Sequence, residues 1–349
     1  MFTPAPAQTA SPSGLQPAEI LLQIATGHFV ASALYGVLST GIPDLLKSGS
    51  KSVAELAVLA GVHEGALYRV MRALSAAGVF AENPVRTFSL SPLSELLCKD
   101  AQNSVRQMAL WLTLPFHFEV YGELGHSLRT GETVSEKLYG LPCFDYLAQN
   151  KEINDIFNDA MTEFSANVVP AVLEACDFSS LSGNTLVDIA GGHGKVLTEI
   201  LKKHPGVRGI LFDLDHVVKG AVPRIESEGL SSRCSVAHGD FFKAVPSGNA
   251  YIMKHIIHDW DDAHALTILK NIHAAAAPGA SLFLIEAVMA PGNEPHFAKV
   301  VDLEMMLLPG GCERTEQEYR DLLAQAGFKL SKIVKTKSPL DLIEAIRIQ

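Results

Sequence analysis

The chain has 349 residues, long enough for two domains with a sizeable core. Hydrophobic residues make up 48% and charged residues 19%, the balance of a well-packed globular protein. The formal net charge of -10 argues against a nucleic-acid surface, which needs clustered basic side chains.

Residues 1–16 are rich in Pro, Ala, Ser and Thr and lack the basic start and apolar core of a signal peptide, so they read as a disordered tail. No continuous apolar run reaches the roughly 18 residues of a bilayer span, so no membrane partner is expected. From Pro17 to Leu46 the pattern is helical and apolar, with Ile20, Leu21, Ile24, Phe29, Ala33, Leu34 and Val37 among very few charges. Such a helix is expected to be buried against another subunit. Ser52 followed by Glu55 is a capping box, and the chain then reads helix, Gly61, helix from His63 to Leu74. With a hairpin around Asn83-Pro84, the segment reads as a winged helix. One use of that module is DNA regulation, yet its second helix offers only Arg69 and Arg72, beside Glu64. A structural, dimerising role fits better.

Leu96 to Phe178 is mostly helical and rich in aromatics, a place where core packing or an aromatic substrate could use the same side chains. After Ser182-Gly183-Asn184 short apolar runs alternate with helices. Strands are expected at 186–190, 209–214, 234–238, 250–256, 281–288, 328–335 and 341–348, and helices at about 195–203, 216–228, 262–276, 297–308 and 316–326. The last two strands are too close together for a crossover helix and should pair antiparallel. The expected fold is α/β and doubly wound, its seven strands with an antiparallel end resembling the class I methyltransferase sheet, with an N-terminal all-helical winged-helix dimerisation domain. The domain boundaries are a tail at 1–16, the winged helix at 17–110, a helical connector to the substrate pocket at 111–180, and the cofactor domain at 181–349.

The cofactor floor is expected at Leu186–Thr198, a strand that ends in Ala190-Gly-Gly-His-Gly before a helix. The dinucleotide pattern G-x-G-x-x-G is incomplete, since Gly192 and Gly194 are followed by Leu197, which weakens a nicotinamide reading without excluding it. Asp213 and Asp240 end the second and third strands, and Phe241 offers a face to an adenine ring, so an adenosine-bearing cofactor fits. The fourth strand runs into Met253-Lys-His-Ile-Ile-His-Asp-Trp-Asp-Asp. If the chain is extended there, His255 and His258 point to opposite faces, and with no Cys partner no metal is expected. Asp261 and Asp262 are expected to cap the next helix. His258 stands at the carboxyl edge, where a neutral imidazole can serve as a base. The five cysteines (98, 143, 176, 234 and 312) are scattered, odd in number and free of any C-x-x-C pair. They suit a reducing, cytoplasmic setting rather than a disulfide framework.

Taken with Phe212-Asp-Leu-Asp-His-Val-Val, Gly239-Asp-Phe-Phe, Ile285-Glu and Gly310-Gly-Cys-Glu-Arg-Thr, these segments resemble the S-adenosylmethionine-dependent O-methyltransferases of the caffeic acid and acetylserotonin type, over nearly the whole chain. The resemblance implies S-adenosylmethionine as methyl donor, S-adenosylhomocysteine as product, a homodimer and a small aromatic substrate. It implies that His258 is the base, flanked by Glu286 and Glu313. Gly191, Gly192, Asp213, Asp240, Phe241, Lys254, Phe157 and Ser165 would hold the cofactor, and Met161, Asp259 and Met305 would border the acceptor. The expected reaction is methylation of a phenol or enol hydroxyl; the alternative is a family member that decarboxylates or hydroxylates instead. Two departures stand out. Ala190 replaces a family glycine, harmless if its φ is negative, and Asp215 replaces a proline where it could compete with Asp213. Glu304, Leu308 and Pro309 fall in the segment that lines the acceptor pocket in relatives, so the substrate does not carry over.

Overall fold

The computed structural model describes residues 16–348, arranged as two compact units that divide between Pro115 and Phe116. The tail expected over 1–16 lies outside the described residues except for Gln16.

The first unit opens with helix α1, Pro17–Ser39, whose Gln16 N–H donates to Glu19 (2.8 Å) in a capping arrangement. Its Leu21, Leu22, Ile24 and Phe29 are between 63% and 72% exposed within this chain, an apolar face that needs a cover. One expectation is corrected here. An 18-residue window of this helix has a mean hydropathy of 1.5, long and apolar enough to cross a bilayer. The sequence shows no continuous run because neutral Gly, Ser, Thr and His residues interrupt it without adding charge. Helices Val53–Ala60 and Glu64–Ala76 follow, joined at left-handed Gly61, with the Ser52–Glu55 capping box in place. The unit is not purely helical, since Lys51–Ser52, Thr87–Leu90 and Phe80–Glu82 form a small antiparallel sheet. Leu56, Met71, Leu74, Phe80 and Phe88 fill its core. Of the two arginines on the second helix, Arg72 lies over the Tyr68 ring (5.4 Å) and Arg69 is exposed, while Arg86 pairs with Glu64.

In the second unit seven strands form one sheet: β1 Thr185–Ile189, β2 Arg208–Asp213, β3 Cys234–His238, β4 Gly248–Lys254, β5 Ala276–Glu286, β6 Phe328–Val334 and β7 Asp341–Arg347. Their spatial order is β6-β7-β5-β4-β1-β2-β3. The pairs among β1 to β5 are parallel, and β7 lies antiparallel between β5 and β6. Strand β1 is central, and its Leu186, Val187 and Ile189 are fully buried because helices cover both faces. The helix after it, Lys195–Lys203, buries Val196, Leu197, Ile200 and Leu201 and turns Lys202 and Lys203 outward at its C-terminal end. The carboxyl ends of β1, β2, β3, β4 and β5 therefore meet along one edge, where open α/β sheets bind their ligands. A two-residue parallel pairing of Val288–Met289 with Arg314–Thr315 ties the segment after β5 to the 310–315 loop at that edge.

Candidate active site

Strand β1 stops at Ala190, and the chain turns through Ala190, Gly192 and Gly194 at φ +53, +58 and +74. The condition that would have made Ala190 harmless is not met, because it sits in the left-handed region where a Cβ is strained. A Cβ on Gly191 would lie 2.5 Å from the Leu211 side chain and 2.6 Å from the Asp188 carboxylate, so that position needs a glycine. The Gly192 N–H donates to Asp213 Oδ2 (2.8 Å), which joins the turn to the end of β2, and Asp213 Oδ1 accepts from Leu214 N–H (2.6 Å). Asp215 is drawn aside to Lys219 (2.6 Å) at the start of the next helix and does not crowd Asp213. Asp240 holds Phe242 N–H (2.9 Å), and Phe241 meets Trp260 edge to face at 6.0 Å. Asp188, to which sequence reasoning assigned no role, is buried below the turn. Burial pushes its pKa up to about 7 against the opposing pull of Lys254, and its Oδ2 has no hydrogen-bond partner among the described residues. Bare backbone, strand-end carboxylates and an unsatisfied buried acid fit a cofactor that carries hydroxyl groups and positive charge.

On the long helix Lys151–Ala175, Ser165 is buried and donates to the Met161 carbonyl (2.7 Å), while Phe157 tilts against Phe144 at 6.5 Å. Lys254 ends β4 with its Nζ 5.9 Å from the Phe164 ring. Its pKa is lowered by burial, against the pull of Glu286, Asp188 and Asp259.

Beyond Lys254 the strand does not continue, which corrects a second expectation. His255 has φ +52 and Ile257–Asp259 is a single 3-10 turn, so the imidazoles of His255 and His258 lie on the same side, with ring centroids 4.2 Å apart. Possible ligand atoms of His255, His258 and Glu286 lie within 4.8 Å of one another, a grouping that the extended-strand picture had ruled out. The two imidazoles are tilted at 36° to each other.

His258 is 5% exposed, and its Nδ1 hydrogen-bonds Glu313 Oε1 at 2.8 Å. Its Nε2 lies 3.4 Å from Asp259, too far for a good hydrogen bond. Burial would lower the imidazole pKa, but Asp259, Glu313 and Glu286 outweigh it and push the group up to about 9. Asp259 itself is pushed up to about 6 and Glu286 to about 7, both mainly by burial. The two glutamates do different jobs, a third correction. Glu313 orients the ring, whereas Glu286 does not touch it. Glu286 Oε1 accepts from Ile256 N–H (3.1 Å) and Ile257 N–H (2.9 Å), fixing the turn on which His258 stands, because the reversal at His255 aims those amides back at the end of β5.

Two further residues build this corner and carried no role in the sequence reading. Arg314 is 2% exposed and donates to the carbonyls of Ile257 (3.0 Å) and Trp260 (2.9 Å) and to Asp262 (2.8 Å), clamping the loop from both sides of His258. Gly311 lies directly on that loop; a Cβ there would come within 2.0 Å of the His258 carbonyl oxygen. Asp261 caps the following helix through His264 N–H (2.8 Å), as expected, while Asp262 is taken up by Arg314. On the helix Ala298–Leu307, Met305 is buried, and neighbouring Glu304 binds His117 Nε2 (2.7 Å) and the Tyr121 hydroxyl (3.0 Å). Sequence spacing held no signal for that polar cluster, in which Glu304 lies 187 and 183 positions from its two partners.

A glycine-turn cofactor floor on a 6-7-5-4-1-2-3 sheet, with an imidazole–carboxylate pair at the same edge, defines a class I methyltransferase. Residues 121–329 match the O-methyltransferase domain and residues 22–100 the O-methyltransferase dimerisation domain. The phenazine O-methyltransferase of Lysobacter antibioticus is 38% identical over 93% of this chain and 95% of its own. The mitomycin biosynthesis 6-O-methyltransferase of Streptomyces lavendulae is 33% identical over 90% of each. An O-methyltransferase of neocarzinostatin biosynthesis, solved with S-adenosylmethionine and 2-hydroxy-5-methyl naphthoic acid, superposes with a TM-score of 0.77 at 28% identity, over 91% of this chain and 96% of its own. The chain belongs to the S-adenosylmethionine-dependent O-methyltransferase family, with an N-terminal dimerisation domain and a seven-stranded methyltransferase domain.

Proposed function

We propose that this enzyme methylates a phenol or enol hydroxyl on a fused or substituted aromatic natural product, with His258 as general base. The observation that carries the reading is the buried His258–Glu313 pair, whose Nδ1 is occupied at 2.8 Å and whose Nε2 is left for an acceptor hydroxyl. The relatives, a phenazine O-methyltransferase, a 6-O-methyltransferase of mitomycin biosynthesis and an O-methyltransferase solved with a naphthoic acid, support the aromatic class.

When bound, S-adenosylmethionine supplies an electrophilic methyl on a positively charged sulfur. In this reading Gly191, Gly192, Asp213, Asp240 and Phe241 hold its nucleoside, and Phe157, Ser165 and Lys254 border its other end. In its neutral form, which a pKa raised to about 9 makes more abundant as pH rises, His258 takes the hydroxyl proton at Nε2 as the acceptor oxygen becomes nucleophilic. The imidazolium that results is stabilised by Glu313, Asp259 and Glu286, the groups that raise its pKa. Glu286 and Arg314 act through the loop backbone, so that acceptor oxygen and base are placed together. Met161, Asp259 and Met305 border the acceptor, with Glu304 held beside them by His117 and Tyr121.

We further infer a homodimer in which the apolar face of α1 is covered by the partner, and a reducing, cytoplasmic setting for the five free cysteines. The test is incubation with S-adenosylmethionine and a panel of hydroxylated phenazines, naphthoates and simple phenols, following S-adenosylhomocysteine release and product mass. A gain of one methyl, lost in His258→Ala while cofactor binding persists, supports the reading. Normal turnover by His258→Ala, or a product that has lost carbon dioxide or gained oxygen, refutes it.

A further inference from the structure

The hydrogen bond from His258 Nδ1 to Glu313 fixes one atom of the ring. With Cγ tethered to the chain and Nδ1 bonded to Glu313, the ring plane is set along one edge, and what remains is rocking of the far edge, which carries Nε2. A contact on the ring face limits that rocking. Asp259 does not, since its nearest oxygen is 3.4 Å from Nε2.

The neighbour that meets the ring face is His255, with centroids 4.2 Å apart and planes at 36°. His255 is in turn backed by Phe164 on its long helix, at 5.0 Å and 31°. The three rings thus form a row, Phe164, His255, His258, that runs from the helix Lys151–Ala175 to the base. The chain holds His255 there in a strained conformation. Its φ of +52 is unusual for a residue with a Cβ, and the neighbouring sheet holds it there through His255 N–H to the Ile285 carbonyl (3.1 Å). Backbone strain of this kind clusters at functional sites.

We propose that His255 is a positioning residue: backed by Phe164, its imidazole is the tilted face against which His258 rests, and it limits the rocking that would carry Nε2 off the acceptor hydroxyl. The inference rests on the reading of His258 as the base. The chemistry of that face suits the role. Burial and the neighbouring His258 and Lys254 hold the His255 pKa well below its usual value, so its ring stays neutral while His258 gains a proton. A neutral π face attracts an imidazolium, whereas a second cation would repel it.

Two substitutions separate such a face from other uses of the ring. His255→Asn tolerates the left-handed backbone and removes the ring; His255→Phe keeps a flat face and removes both nitrogens. The full-length dimer is labelled with 13Cε1-histidine, and the His258 signal is assigned by its loss in His258→Gln. The expected result is a narrow His258 signal in the wild type and in His255→Phe, and a broadened or displaced one in His255→Asn. With the fastest acceptor of the phenol panel, kcat should fall at least about tenfold in His255→Asn and stay within about threefold in His255→Phe, with KM for S-adenosylmethionine unchanged in both. A wild-type His258 signal and kcat in His255→Asn overturns the proposal, and so does equal damage by both substitutions. Because the ring signal is read without acceptor, normal turnover by His258→Ala would remove the base reading while leaving the ring-contact result intact.

Discussion

Replacing Arg314 by alanine should be among the most damaging single changes in the second unit, although Arg314 is assigned neither cofactor nor acceptor contacts. The guanidinium is 2% exposed and serves the carbonyls of Ile257 (3.0 Å) and Trp260 (2.9 Å) as well as Asp262. Each carbonyl that loses a charged donor in the interior costs about 1–3 kcal/mol. Asp262 is 80% exposed and recovers its solvation, so that ion pair adds little. The two carbonyls together set the loss at about 2–6 kcal/mol, a large part of the ~5–15 kcal/mol that holds a typical protein folded. Urea unfolding with an unchanged m-value would measure it. Calorimetry should find S-adenosylhomocysteine binding within about threefold of wild type, because the glycine turn and Asp213 belong to other elements, while kcat falls at least about tenfold through misplacement of His258. Arg314→Lys, with one point of charge in place of a fork, should fall between. A stability loss below about 1 kcal/mol together with wild-type turnover would refute the clamp.

Three further outcomes follow from the same geometry. Asp213→Ala removes the acceptor that joins Gly192 to β2 and should weaken S-adenosylmethionine binding by at least about tenfold in calorimetry, while substitution of His258 leaves that affinity alone. Ala190→Gly relieves the left-handed strain at φ +53 and, net of the extra freedom of glycine in the unfolded chain, should stabilise by about 1 kcal/mol, read as a Tm rise of about 2–4 °C; a fall in Tm would contradict it. The His258 pKa is raised from 6.5 to about 9, so its contribution to stability is complete below 6.5 and is lost as pH rises through 9. Asp259 and Glu286, raised to about 6 and about 7, add a decline in the same direction at lower pH. Unfolding free energy should therefore fall between pH 7 and 9, at up to about 1.4 kcal/mol per unit from His258, and His258→Gln should flatten the profile in urea titrations across that range.

The period of the sequence carried the architecture. Buried parallel strands are near-continuous apolar runs, amphipathic helices repeat near 3.6, and a capping box such as Ser52–Glu55 marks where a helix starts. These are local properties, so β1 and the helix Lys195–Lys203 could be located to within a residue or so, and the antiparallel end of the sheet followed from the short link between β6 and β7. Strand-end acids and glycines likewise point to a cofactor edge, because a doubly wound sheet brings the ends of its parallel strands together whatever lies between them.

Backbone reversals and long-range contacts were not legible. Nothing in Lys254-His-Ile-Ile-His announces a left-handed histidine, so an extended chain put His255 and His258 on opposite faces, and the fold put them 4.2 Å apart. Glu286 looked like a second arm on the imidazole and instead holds two amides of the loop. Arg314, Gly311 and the His117–Glu304–Tyr121 cluster acquire meaning only when the 310–315 loop and the helix Ala298–Leu307 close on their neighbours, across gaps of 52 to 187 positions. The sequence by itself determined the sheet, its cofactor edge and the histidine just beyond β4, because spacing and residue type encode local structure. Only the tertiary structure decided how that histidine is gripped, since hydrogen bonds, close approaches and ring contacts between distant segments leave no periodic trace in the chain.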